Sequence, residues 1–250
     1  MYMEPQKSEL PAQVTWKLKH YKQRMNWDCG LSCVLMCLKD EERQDITNDI
    51  RKLCSEEGFG HSTWTIDLCY MIKNRMPHVS FYYTTVTLGV DQSYGNEKFY
   101  SSILSNDNER INRRFKASEQ NGIVVQKRSV SLFDLVNHVA KNGVCIVLTN
   151  ANLLTCDICD SYSCFGRRCR PTCNVAKTLS CCMKPPYQGH YVVMCGYNLN
   201  DKKIIYRNPG HSDRECVTSF EIFDDARTSY GTDEDVMFVD LDVTGQIIGT

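Results

Sequence analysis

Residues 27–36, Trp27-Asp28-Cys29-Gly30-Leu31-Ser32-Cys33-Val34-Leu35-Met36, decide how this chain is read. Leu31, Val34, Leu35 and Leu38 recur at helical spacing, which predicts a buried helix over 29–39. That helix starts on a cysteine. Unpaired N–H groups and the positive end of the helix dipole favour a thiolate at such a position. A thiolate there is a stronger nucleophile than an ordinary thiol. The competing reading of Cys29 is a small core residue, because buried unreactive cysteine is the commoner state.

Partners for the sulfur stand far downstream. His190 opens the apolar run Tyr191-Val192-Val193-Met194-Cys195, and Asn208 follows a second run, Lys203 to Tyr206. With a turn at 198–201 the two runs form a hairpin. Residue 190 then lies opposite 209–211, so Asn208 ends within a residue or two of His190. A base near the sulfur, held by a third group, is what a thiol–imidazole nucleophile requires. Taken singly, His190 is also readable as a strand-end histidine, and Asn208-Pro209 as an ordinary turn. Gln23, six residues before Cys29, is placed to donate to an oxyanion beside the Cys29 N–H. Catalytic candidates are therefore Cys29, His190, Asn208 and Gln23.

The rest of the chain sets the frame. A second helix is expected over Glu42–Cys54, and a third from Trp64 to before Pro77, capped by Ser62 or Thr63. Val79–Thr84 and Ile123–Gln126 read as strands, and 97–120 as a charged, weak helix. Ser131 caps an amphipathic helix carrying Leu132, Leu135, Val136, Val139 and Ala140. Val144–Leu148 is an apolar strand. A helix near Phe220–Arg227 and a strand at Val236–Leu241 close the chain. Helices first and antiparallel strands later predict an α+β fold. The expected layout is a flexible stretch at 1–15, one domain over 16–245 with a cysteine-rich insert at 151–187, and a tail at 246–250.

Composition excludes several classes. The chain has 250 residues, 42% of them hydrophobic, with a net charge of −1. That suffices for a core and lacks the basic surplus of a dedicated nucleic-acid binder. No run approaches the ~18 apolar residues of a membrane span, and Met1–Gln13 carries no signal-peptide pattern. Fifteen cysteines cannot all pair internally. Reduced, buried thiols such as Cys33, Cys69 and Cys195 fit a cytoplasmic protein, with nuclear access open.

Seven cysteines crowd between Cys156 and Cys182. Cys156-x2-Cys159 with Cys181-Cys182 is the candidate zinc set, a structural thiolate site that would order a small insert. Other readings are a loop of reduced thiols, or membrane contact and acylation near Cys169 with Arg167, Arg168 and Arg170.

The pieces Gln23-x5-Cys29, Asp28-Cys29-Gly30, Gly189-His190-Tyr191-Val192-Val193 and Asn208-Pro209 resemble the C39-like branch of the papain-type cysteine peptidases. That resemblance implies a papain-like fold with helices packed on an antiparallel sheet, a protein or peptide substrate, and no cofactor. The branch commonly has Asp before the Pro; here Asn208 orients the ring without adding charge. The longer segments WDCGLSCVLM, STWTIDLCYM, TLGVDQSYGNEKFY, QGHYVVMCGYN and ARTSYGTDEDVMFV resemble the eukaryotic guanylyl cyclase domain-containing family, from about residue 16 onward. That second resemblance implies conversion of GTP to cyclic GMP with Mg²⁺ or Mn²⁺. Asp233-Glu234-Asp235 is the acidic run available for such an ion; a solvated turn is the plainer reading. No phosphate-binding glycine loop accompanies it. A third reading is an inactive binding module on the same fold.

Overall fold

The helix that begins on Cys29 forms at Cys29–Met36, and all eight of its residues are buried. In this computed structural model, residues 10–59, 62–90, 98–161, 187–241 and 247–248 are described, the side chains of 98–106, 160–161 and 247–248 aside. In chain order the elements are β1 (Gln13–Trp16), α1 (Cys29–Met36), α2 (Asp40–Asn48), α3 (Ile50–Glu57), α4 (Thr65–Arg75) and β2 (Phe81–Thr85). There follow α5 (Lys98–Ala117), β3 (Val125–Lys127), α6 (Leu132–Lys141), β4 (Gly143–Asn150) and α7 (Asp157–Ser161). The last are β5 (Gly189–Asn198), β6 (Lys203–Arg207), β7 (Glu215–Ser219), α8 (Phe220–Arg227), β8 (Val236–Asp240) and β9 (Ile247–Ile248). The fold is α+β, as the sequence pattern predicts.

One sheet organises the strands in the order β3-β2-β8-β4-β5-β1-β9, with β6 on β5 and β7 on β6. Every pairing is antiparallel except β2 with β3. All of β4 and the centre of β5 are buried, which explains their continuous Val/Ile/Leu/Cys runs. β5 is the hub: its first half pairs with β4, while its second half lies between β1 and β6. β1, whose first three residues fall within the stretch 1–15 expected to be flexible, pairs Gln13–Thr15 with Gly196–Asn198. Trp16 anchors it, its indole N–H donating 2.7 Å to the Val139 carbonyl of α6.

Helices pack where their apolar faces predict. α6 lies on β4 and β5, burying Leu135, Val136 and Val139. Ser131 caps it as expected: its Oγ accepts the Asp134 N–H at 3.2 Å, and Asp134 Oδ2 accepts the Ser131 N–H at 2.7 Å. α1 packs on β5 and α4. Its last carbonyls are held by Arg43, which donates to Leu35 O and Leu38 O, both at 2.7 Å. The single helix expected over 42–54 is two, broken at Asp49. Asp67 of α4 is fully buried and pairs with Arg110 and Arg114 of α5, and Arg114 also reaches Glu57 of α3 at 3.0 Å. Those pairs lock the helical layer that backs α1. Among the described residues, no helix is long and apolar enough to cross a membrane.

Candidate functional site

The loop before α1 is shaped by Asp28. Its carboxylate accepts the backbone N–H groups of Arg24 and Met25, each at 3.0 Å. The chain thereby turns into α1 with Cys29 first. The Cys29 sulfur lies against the backbone N–H groups of Tyr191 and Gly30, so it meets the chain at the residue directly after His190. Gly30 permits this approach. A β-carbon there would stand 2.8 Å from Leu68 Cδ1 and 3.1 Å from Tyr191 Cδ2, so a larger residue would push α1 off β5.

The hairpin delivers the other two groups. Val193 pairs with Arg207, and continuing that register puts His190 opposite Gly210, within the predicted 209–211. Asn208 Oδ1 lies 2.8 Å from His190 Nε2 and accepts the Gly210 N–H at 2.9 Å. A backbone N–H only donates, so this atom is the amide oxygen. His190 Nε2 must then carry the hydrogen. A neutral imidazole has one N–H, so Nδ1, on the other edge of the ring, is left as the proton acceptor. The backbone of His190 is fixed as well, its carbonyl accepting Thr149 Oγ1 at 2.8 Å.

Gln23 joins the same place. Its N–H donates to Pro209 O at 2.9 Å. A β-carbon on Gly210 would sit 3.2 Å from Asn208 Oδ1, 3.5 Å from Gln23 Oε1 and 3.7 Å from His190 Cε1. Three expected residues therefore converge on one glycine. The orientation of Gln23 differs from the sequence expectation, however. Its Nε2 donates to Met25 O at 2.8 Å, and its buried Oε1 has no hydrogen-bond partner. The amide presents oxygen, not N–H, toward Gly210. Half a turn about its last torsion, at the expense of the Met25 bond, reverses that.

Charge follows burial here. Burial pushes the Cys29 thiol above its ordinary pKa, and the Asp28 carboxylate adds to this, while the Tyr191 and Gly30 N–H groups pull it down. Desolvation thus opposes the thiolate preference expected at the helix start. Burial likewise pushes His190 below the usual histidine range, opposed by the Asn208 bond and reinforced by His211. Burial thus favours the uncharged form of each group.

A buried polar chain links Tyr191 to Asp235 and Tyr83. Thr65 Oγ1 donates to Asp235 Oδ2 at 2.6 Å and lies 2.8 Å from the Tyr191 hydroxyl, and Tyr83 OH donates to Asp235 Oδ1 at 2.7 Å. Asp235 is buried, and its carboxyl is raised to a pKa of about 7, chiefly by desolvation and then by Asp233. Sequence reading missed this link because Asp235 looked like part of an exposed acidic turn.

The guanylylate cyclase family profile matches residues 18–239 of this chain. The chain belongs to the guanylylate cyclase family. Guanylyl cyclase 1 of Arabidopsis thaliana is 31% identical over 235 residues, covering 93% of this chain and 79% of that relative.

Asp235 faces the core as described, and Glu234 Oε2 accepts Ser129 Oγ at 2.5 Å. Asp233 and Glu234 adopt positive φ of 49° and 51° in a tight turn. The run does not gather its carboxylates round one point. Among the described residues, the cluster with three metal-ligand atoms near one another is Cys156, Cys159 and Cys216. Of the expected zinc set, Cys156 and Cys159 are brought together, while Cys181 and Cys182 lie outside the described residues, as do Arg167, Arg168, Cys169 and Arg170. Cys216 was missed.

One smaller sequence reading also changes. Trp64 is the N-cap residue of α4, and Asp67 accepts its N–H. Gly231 follows α8, which ends at Arg227. It has φ +96° and packs against the Tyr187 ring.

Proposed function

We propose that Cys29, His190 and Asn208 form the reactive centre, acting as a thiol hydrolase on a peptide or related acyl bond within a papain-type arrangement. The supporting observation is the 2.8 Å contact of His190 Nε2 with Asn208 Oδ1, made while the Cys29 sulfur rests on the Tyr191 N–H. That contact fixes the tautomer whose Nδ1 can take a proton.

In this mechanism the acyl carbonyl of the substrate enters beside the sulfur. Nδ1 of His190 accepts the thiol proton as Sγ bonds to the carbonyl carbon, and the carbonyl π pair moves to oxygen. The oxyanion is held by the Cys29 N–H and by Gln23 Nε2 once its amide has turned. Collapse breaks the bond to the leaving amine, which takes the proton from His190. Water, deprotonated by the same ring, then releases the acid and restores the thiol. Asn208 is neutral and only orients the ring. The substrate in this reading is a protein or peptide, and no cofactor takes part.

A second reading, cyclisation of GTP to cyclic GMP with Mg²⁺ or Mn²⁺, is favoured by the family match and by the name of the Arabidopsis relative. One experiment separates the two. Purified full-length protein and its Cys29→Ala variant are given fluorogenic peptide amides and thioesters in one arm, and GTP with Mn²⁺ in the other. The thiol reading expects acyl turnover that vanishes in the variant. Cyclic GMP formed equally by both proteins, with no acyl turnover, would move the chemistry to the second reading.

A further inference from the structure

Three cysteines from distant parts of the chain meet near the Arg207–Glu215 end of the β6–β7 pair. Cys156 precedes α7, Cys159 lies within it, and Cys216 sits in β7 opposite Tyr206. Their sulfurs all lie within 4.8 Å of one another, and Cys159 Sγ is 3.7 Å from Cys216 Sγ. A disulfide requires about 2.05 Å, so these are separate thiols. Zinc–thiolate bonds of about 2.3 Å in a tetrahedron put two sulfurs about 3.8 Å apart. The observed spacing fits the metal geometry and not the covalent one.

The surroundings fit a trithiolate as well. Cys159 N–H donates to Cys156 Sγ at 3.4 Å, and the N–H groups of Ile158 and Val217 also lie against that sulfur. Such N–H donors orient a ligating sulfur and spread its charge. Arg214 lies beside Cys159. Three thiolates on a divalent ion carry one net negative charge, and the guanidinium offsets it. The helix is already tied to the sheet by the Lys203–Asp157 ion pair at 2.7 Å.

We propose that Cys156, Cys159 and Cys216 form a binding site for a thiophilic divalent cation, with zinc as the best match and solvent as fourth ligand. The ion would clamp α7 to β7. Through β7 it would steady β6, whose end carries Asn208 two residues beyond Tyr206. This assignment does not rest on the thiol-hydrolase reading.

The test uses the full chain, purified with reductant and stripped by a chelator. Titration with Co²⁺, which reports thiolate ligation by its near-ultraviolet charge-transfer band, is followed by competition with Zn²⁺. Wild type should bind with that band, and Zn²⁺ should raise its melting temperature. Cys216→Ser and Cys159→Ser should each weaken zinc binding at least about tenfold, since loss of even an outer partner costs 10–100-fold. Cys195→Ser, a buried thiol outside the cluster, should bind as wild type does. Cys159 is only partly buried, so its variant keeps the test valid if Cys216→Ser fails to fold. Wild type that shows no thiolate band, or Cys159→Ser that binds zinc with undiminished affinity, overturns the proposal.

Discussion

Replacing Asp235 by Asn isolates one buried carboxyl, held between Thr65 and Tyr83. In the folded protein its carboxyl titrates at about 7 instead of 3.8. Between those values the folded chain holds a proton that the unfolded chain has released. The unfolded state therefore binds fewer protons, and stability falls as pH rises through this window. A gap of about 3 pH units at 1.36 kcal/mol each sets an upper limit of about 4 kcal/mol on that loss. The variant has no proton to release. Its Oδ1 can still accept from Thr65 or Tyr83, though not from both as the carboxylate does. That mismatch is a constant offset and does not depend on pH. Urea unfolding of both proteins at pH 4, 5.5, 7 and 8 gives the difference directly, and other titrating groups cancel. The wild type should lose stability relative to the variant across pH 4–7, by up to about 4 kcal/mol, and the difference should level off above pH 8. A difference that stays flat over the whole range would show that Asp235 is not a buried, raised carboxyl.

Other expectations follow from named contacts. Asn208→Asp adds a negative charge 2.8 Å from His190 and raises the histidine pKa; the acid limb of any Cys29-dependent rate should move to higher pH, whereas an unshifted profile would separate Asn208 from the titrating base. Asp67→Ala leaves Arg110 and Arg114 without their buried partner and should cost about 3–5 kcal/mol in urea unfolding; a loss under about 1 kcal/mol would mean that water already screens the pair. Ser131→Ala removes the α6 cap and should cost about 1 kcal/mol without changing the reactivity of Cys29.

Much of the site was legible because its parts are local. Turn residues at 198–201 and the two flanking apolar runs fixed the β5–β6 hairpin, and with it the meeting of His190 and Asn208. The α6 helix was equally clear from Ser131, Asp134 and the apolar stripe behind them. What escaped depends on distant packing. β1 is four residues long and exists because Trp16 reaches Val139. β7, Glu215–Ser219, was not recognised, although Val217 and Thr218 are β-branched. With β7 went Cys216, which lies 57 residues from Cys159 and reaches it only through strand pairing. For Cys29 the helix-end pull toward thiolate was legible in sequence, whereas the size of the opposing desolvation depends on tertiary packing. Gln23 lies beside Gly210, but the direction of its amide is set by the Met25 carbonyl in the loop that Asp28 shapes.

Competitive alkylation with limiting iodoacetamide at neutral pH, read by peptide mass spectrometry in wild type and in His190→Ala, puts the reactive pair under direct test. Cys29 should be the most rapidly modified thiol among the cysteines despite its burial, and its advantage should disappear when the imidazole is removed. Cys29 that reacts no faster than Cys33 or Cys69, or equally fast in both proteins, would contradict the account.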